Sequence, residues 1–257
     1  MNRYRPPATG YRPPLIKATQ FEFRFRIVIA AVLYVLGFWA PWTRYGAVAP
    51  DTTAWLAIST TLARWGWLPL EQSTFLVTVL AIVCAAAGAL LRIWGTSYLG
   101  STIVSSGAMH GHVLMASGPY RFVRNPLYLG TWIFSLGVAI LMPPSGALVF
   151  LLGTVIFYTR LILGEEDYLS KQMGAPYDEY RRRVPRILPS LTPRIPSSGA
   201  QPSWLEGIVA ESYPAGFALC LAALAWRYQP LLLMRCLIVC FGISLVARAV
   251  LPRQRLT

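Results

Sequence analysis

Three short polar clusters hold the residue types that do chemistry. The first is "GPYRFVRNPLYLG" at 118–130, where Arg121, Arg124 and Asn125 crowd against the start of an apolar run. The second is the pair Glu165-Glu166. The third is "APYDEYRRRVPRILP" at 175–189, with Tyr177, Tyr180 and the arginine run 181–183. An arginine fork suits a carboxylate, a carboxylate suits hydroxyls or an ammonium group, and a tyrosine suits a ring. Such a set can grip a small charged molecule. Each cluster also has a plain structural reading. Asn125-Pro126 starts a helix, with Asn as cap and Pro in the first turn. Glu165-Glu166 are juxtamembrane acids. The arginine run is a topology signal, and the tyrosines Tyr120, Tyr128, Tyr177 and Tyr180 are interfacial anchors.

The elements that must bring these clusters together are apolar. Of 257 residues, 55% are hydrophobic and only 13% charged, where a soluble domain carries about 25%. Mean hydropathy is +0.50. The composition predicts an all-α integral membrane protein. Six spans are expected, at 27–43, 72–91, 127–141, 146–163, 208–226 and 231–251, with an interfacial helix within 44–71. The uncharged run 125–159 would reach roughly 52 Å as one helix. "MPPSG" at 142–146 must break it, because paired prolines remove donors and end helices. The outcome is a tight hairpin. Its open end brings the first cluster beside Glu165-Glu166, with the third cluster next in the chain.

The organisation read from this pattern has four parts. They are a basic N-terminal segment at 1–26, two spans at 27–91, a core with the hairpin at 92–195, and two further spans at 196–257. Phe21, Phe23 and Phe25 are expected at the headgroups. The first apolar run lacks a cleavage site and reads as a retained span. Net charge is +13. The basic residues concentrate in the segments before 27, at 92–124, at 164–203 and after 251. That asymmetry puts both termini and all three clusters on the cytoplasmic face, against anionic lipid. No basic stripe lies outside membrane-flanking segments, which argues against nucleic acid. Cys84, Cys220, Cys236 and Cys240 all fall in apolar segments without a nearby histidine set, so no metal site is expected.

The order of motifs resembles one family. His112, then Gly118-Pro119-Tyr120-Arg121, Arg124-Asn125-Pro126, Tyr128 and Gly130, a hairpin, Glu165-Glu166, and finally Gly174, Tyr177, Tyr180 and Arg183-Val184-Pro185 closely resemble the isoprenylcysteine carboxyl methyltransferases. The membrane phospholipid N-methyltransferases are related to them. The resemblance covers 92–189. It implies an S-adenosylmethionine-dependent membrane methyltransferase without a Rossmann fold, its cofactor at the cytoplasmic membrane edge. The Rossmann glycine fingerprint is indeed lacking. The resemblance assigns cofactor binding to His112, Gly118, Pro119, Tyr120, Arg124, Asn125, Pro126, Tyr128, Gly130, Glu165 and Glu166. It assigns the acceptor to Tyr177, Tyr180 and Arg183, and catalysis to Arg183 and Glu166. One residue departs from the pattern. The family usually has His where this chain has Asn125, and Asn cannot shuttle a proton near neutral pH.

Methyl transfer from a sulfonium is an in-line displacement that needs alignment and dryness rather than a protein nucleophile. The expected acceptor is a lipid or lipidated small molecule entering between helices. A carboxylate acceptor is already ionised, whereas an amine needs a base; Glu166 suits either reading. If Tyr177 to Arg183 is helical, Tyr180 and Arg183 are i, i+3 neighbours, which singles out Arg183 from its neighbours. Two rivals remain. Membrane sterol reductases share part of this architecture and would use NADPH. A transporter or scaffold would need polar groups near mid-membrane, where these spans are almost charge-free.

Overall fold

The computed structural model describes residues 17–39, 52–99, 117–197, 199 and 201–227, with isolated helical residues beyond 234. All regular elements among them are helical. In chain order they are α1 (Gln20–Arg24), α2 (Arg26–Trp39), α3 (Ala54–Arg64), α4 (Leu70–Leu99), a 3-10 turn (Gly118–Arg121), α5 (Pro126–Ala139), α6 (Pro144–Met173), α7 (Ala175–Arg183), α8 (Trp204–Ala210) and α9 (Ser212–Arg227).

The hairpin forms as its prolines require. Residues 140–143 make the turn, with Leu141 N–H donating to Val138 O and Met142 N–H to Ala139 O. Pro144 then occupies the first turn of α6, where its missing N–H is no loss. The N-terminus of α3 docks on this turn through Ala54 N–H to Met142 O and Trp55 N–H to Ile140 O, and Trp55 Nε1 donates to Thr78 Oγ1 at 2.8 Å. The core lies between α4, α5, α6 and α9, with Ala81, Ala85, Phe134, Met142, Phe150, Phe217 and Leu221 buried together. The outer faces of α4 and α6 show Phe75, Leu80, Val83, Leu148, Leu152 and Ile156 to their surroundings. Exposed apolar stripes of that extent fit lipid rather than water.

Two helices, α4 and α6, are long and apolar enough to cross a membrane among the described residues. A third span is added if α8 and α9, bent by 67° at their junction, count as one. Helices α2 and α5 are apolar but short, at 14 residues each. The span expected at 231–251 lies mostly outside the described residues.

Three expectations are corrected. The helix of the second span does not stop at Leu91, because α4 runs on to Leu99. Arg92 need not end it, since its guanidinium is fully paired inside the protein. The returning arm does not stop at Leu163, because α6 continues to Met173, so Glu165-Glu166 sit within a helix. Finally, Phe23 is not at the headgroups. It is buried against Phe157 and Leu161, and only Phe21 and Phe25 are exposed. A Thr19–Glu22 capping box starts α1 and sets that inward face.

Candidate active site at the open end of the hairpin

Consecutive residues on a helix point about 100° apart, so Glu165 and Glu166 serve different neighbours. Glu166 is 3% exposed. Asn125 Nδ2 donates to its Oε1 at 3.2 Å, and Arg124 Nη2 stands 3.5 Å from the same oxygen. Arg186 closes on Oε2 with Nε at 3.0 Å and Nη2 at 2.9 Å. Glu165 instead accepts from the Tyr128 hydroxyl at 3.0 Å. Asn125 does stand at the cap position of α5, but its side chain makes no cap hydrogen bond. It joins Glu166 to the Arg186 carbonyl, at 3.2 Å from each.

The chain after α7 supplies Arg186 by turning back at Val184-Pro185. It pairs with 121–125: Arg124 N–H donates to Pro185 O, Ser190 N–H to Phe122 O, and Arg194 N–H to Arg121 O. Arg121 Nε adds a bond to Ile195 O at 3.0 Å. The first and third clusters are thus stitched together over Glu166.

Beside them, the Tyr180 hydroxyl donates to Tyr120 O at 2.9 Å, and the rings of Tyr177 and Tyr180 lie 5.9 Å apart. Burial pushes the hydroxyls of Tyr120, Tyr177 and Tyr180 up, so all three are neutral donors near neutral pH. Burial also presses Arg124 below its ordinary value, against the opposing pull of Glu166. Three buried side-chain polar atoms have no partner among the described residues, and two of them, Tyr120 Oη and Arg124 Nε, belong to this cluster; the third is Ser135 Oγ. Unsatisfied buried donors are rare and ask for a ligand or water.

Pro119 and Pro126 are buried and start the 3-10 turn and α5. Gly118 has φ +53°, and a Cβ there would run into the Tyr98 ring. A Cβ at Gly130 would lie 2.8 Å from Arg92 Cγ and 2.9 Å from Gly88 O, so that glycine lets α5 press against α4.

The arginine run falls out differently from the i, i+3 argument. Tyr177 and Tyr180 face inward, but Arg183 is 56% exposed and pairs with Glu179 at 2.6 Å. Arg182 shares Glu179, and Arg181 pairs with Asp178. Arg183 is therefore not brought to Glu166. His112 lies outside the described residues. Sequence reasoning missed Arg186, whose signal was the proline before it that turns the chain back. It also missed the pairing of Arg92 with Glu211, although an acid inside an apolar stretch demands a partner. No group of side chains that could hold a metal occurs among the described residues.

Residues 76–175 match the family model described as phospholipid methyltransferase. The chain is 37% identical over 90 residues to the protein-S-isoprenylcysteine O-methyltransferase of Schizosaccharomyces pombe, covering 35% of this chain and 38% of that protein. It is 28% identical over 132 residues to the protein of the same name in Dictyostelium discoideum, covering 50% of this chain and 55% of that protein. It is also 37% identical over 90 residues to phosphatidylethanolamine N-methyltransferase B of Dictyostelium discoideum, covering 34% and 45%. The chain thus spans between about a third and just over half the length of these relatives. No solved structure matches it.

Proposed function

We propose, from the premise that this chain belongs through residues 76–175 to the phospholipid methyltransferase family, that it moves a methyl group from S-adenosylmethionine to a lipid-tailed acceptor at a membrane surface. The observation that carries the reading is the buried cluster at the hairpin's open end. There, Tyr120 Oη and Arg124 Nε are left without partners beside Glu165 and Glu166.

These residues fit the cofactor's polar groups. The Arg124 fork suits the aminoacyl carboxylate, and the Tyr120 hydroxyl suits an oxygen or ring nitrogen. Glu165, with Tyr128 on it, suits the ammonium or the ribose hydroxyls. When bound, S-adenosylmethionine supplies an electrophilic methyl on a sulfonium. The chain's own task is to hold that group and the acceptor in line and to keep water out. Tyr177, Tyr180 and Val184 pack together beside the cluster, and Tyr180 is tied to it by its bond to Tyr120 O. Arg186 and Asn125 hold Glu166 in place.

The acceptor that fits best is a carboxylate on a lipidated thioether, as the names of the isoprenylcysteine relatives indicate for those proteins. A carboxylate needs no base, and Glu166 makes a poor one, since two arginines and an amide occupy its lone pairs. An amine acceptor is the second reading. Glu165, which accepts from the neutral Tyr128 hydroxyl rather than from the arginines on Glu166, favours it as the available base. The fuller architecture belongs to this proposal: six spans, both termini and the site on the cytoplasmic side, a core at 92–195 and anionic lipid around it.

Calorimetric titration of the purified chain in nanodiscs tests the cofactor. S-adenosylmethionine and its demethylated product should bind, and NADPH should not. Binding of NADPH alone would replace this reading with the reductase one.

A further inference from the structure

Glu211 lies outside the matched segment, in an apolar stretch, at the 67° break between α8 and α9. It is 1% exposed. An acid at such a place is expensive, and its partner names its task. Arg92 of α4 meets it fork to fork, with Nε to Oε2 at 2.7 Å and Nη2 to Oε1 at 3.0 Å. Thr96 Oγ1 donates to Oε1 at 2.9 Å. The remaining nitrogen of the same guanidinium, Nη1, donates to Leu127 O and to Thr131 Oγ1. All of the fork is therefore spent between Glu211 and the beginning of α5. The stem of Arg92 lies against Gly130, and Ser203 N–H donates to Ser97 O at 2.7 Å, which ties the start of α8 to the end of α4.

The turn that Arg92 grips starts at Asn125-Pro126 and carries Tyr128, the partners of Glu166 and Glu165. We propose that Glu211 is a positioning residue. By orienting the Arg92 fork it sets the first turn of α5, and through that turn it sets Asn125 and Tyr128 on the two glutamates. The C-terminal helix pair is then part of the site's support rather than an appended anchor. The consequence for rate rests on the methyl-transfer reading; the consequence for the turn does not.

A merely structural pair behaves differently. Buried ion pairs can often be replaced by apolar residues of similar volume with little loss of stability. The test is the double variant Arg92→Met/Glu211→Leu of the full chain, in nanodiscs of phosphatidylcholine and phosphatidylglycerol. The expected result is a cooperatively melting protein whose kcat/KM for methyl transfer falls at least about tenfold, since a misplacement of 1 Å at a reacting centre can cost about a hundredfold. Amide exchange at 127–131 should accelerate while that of α6 stays unchanged. Where the double variant does not fold, Glu211→Gln keeps the volume, loses the charge and is read the same way. Wild-type kcat/KM together with wild-type exchange at 127–131 in a folded variant overturns the inference. If the unmodified chain transfers no methyl group, the functional reading fails on its own, and the exchange measurement still decides whether Glu211 sets the turn.

Discussion

At the scale of single residues, Glu166 organises the site, and its partners differ in what they lend it. Arg186 gives a two-nitrogen contact, which a lysine cannot reproduce. Arg183 gives its fork to Glu179 on the exposed side of α7. Arg186→Lys should therefore lower methyl-transfer kcat/KM by about tenfold or more, as loss of a charge-assisted hydrogen bond of about 1.5–3 kcal/mol implies. Arg183→Lys should change it little. Steady-state assays of the two variants decide the matter, and the opposite ranking would restore Arg183 to the site. A second prediction concerns the acids. Glu165→Gln/Glu166→Gln should weaken S-adenosylmethionine binding by more than about 1.5–3 kcal/mol in calorimetry; wild-type affinity in a folded double variant would make both acids structural. Much of this cluster was legible in the sequence, because Arg124, Asn125 and Glu165-Glu166 sit at the two ends of one hairpin. Arg186 was not, because a topology signal and a site arginine look alike until the chain's reversal at Pro185 is seen.

At the scale of elements, the hairpin was readable from its paired prolines, whereas the ends of α4 and α6 were not. A charge normally marks the end of a span, but Arg92 is satisfied by Glu211, 119 positions away. No local pattern carries that information. Helix α1 offers an element-scale test. Its Glu22 accepts from Arg160 Nε at 2.9 Å and Nη2 at 3.0 Å, and Lys17 reaches Asp167 at 2.6 Å, so α1 is clasped to α6. The hydrogen bond to Arg160, opposed by burial, holds the Glu22 carboxyl at about 2, below its ordinary 4.5. A lowered value means that the carboxylate stabilises the folded contact fully above about pH 4.5. That contribution is lost as pH falls through about 2. Amide exchange at 17–25, corrected for its intrinsic rate, should accelerate over that interval in the native chain and be insensitive to it in Glu22→Gln. Equal acid responses in the two would remove Glu22 from the clasp.

At the scale of the whole molecule, a membrane accounts for the exposed apolar faces of α4 and α6. Helix α6 has 30 residues and would reach about 45 Å, more than the roughly 30 Å hydrocarbon layer. In the proposed topology its last turns, with the two glutamates, clear the lipid core on the side opposite Ser145. Single cysteines at Ser145 and Arg183, in a background without the native cysteines, should be labelled from opposite sides of sealed vesicles by a membrane-impermeant thiol reagent. Labelling of both from one side would contradict a crossing α6.

The account stands on methyl transfer to a lipid-tailed acceptor, and one measurement reaches it most directly. The purified chain in nanodiscs is incubated with S-adenosylmethionine labelled in the methyl group and either a farnesylated cysteine derivative or phosphatidylethanolamine. Transfer to a carboxylate puts label in the lipid-soluble fraction of the farnesylcysteine reaction, released by mild base as a methyl ester releases it, and its rate of appearance falls by about tenfold or more in Arg186→Lys. Base-stable label on phosphatidylethanolamine would move the acceptor to the amine. No label in either acceptor, from a folded chain saturated with S-adenosylmethionine, would contradict the account.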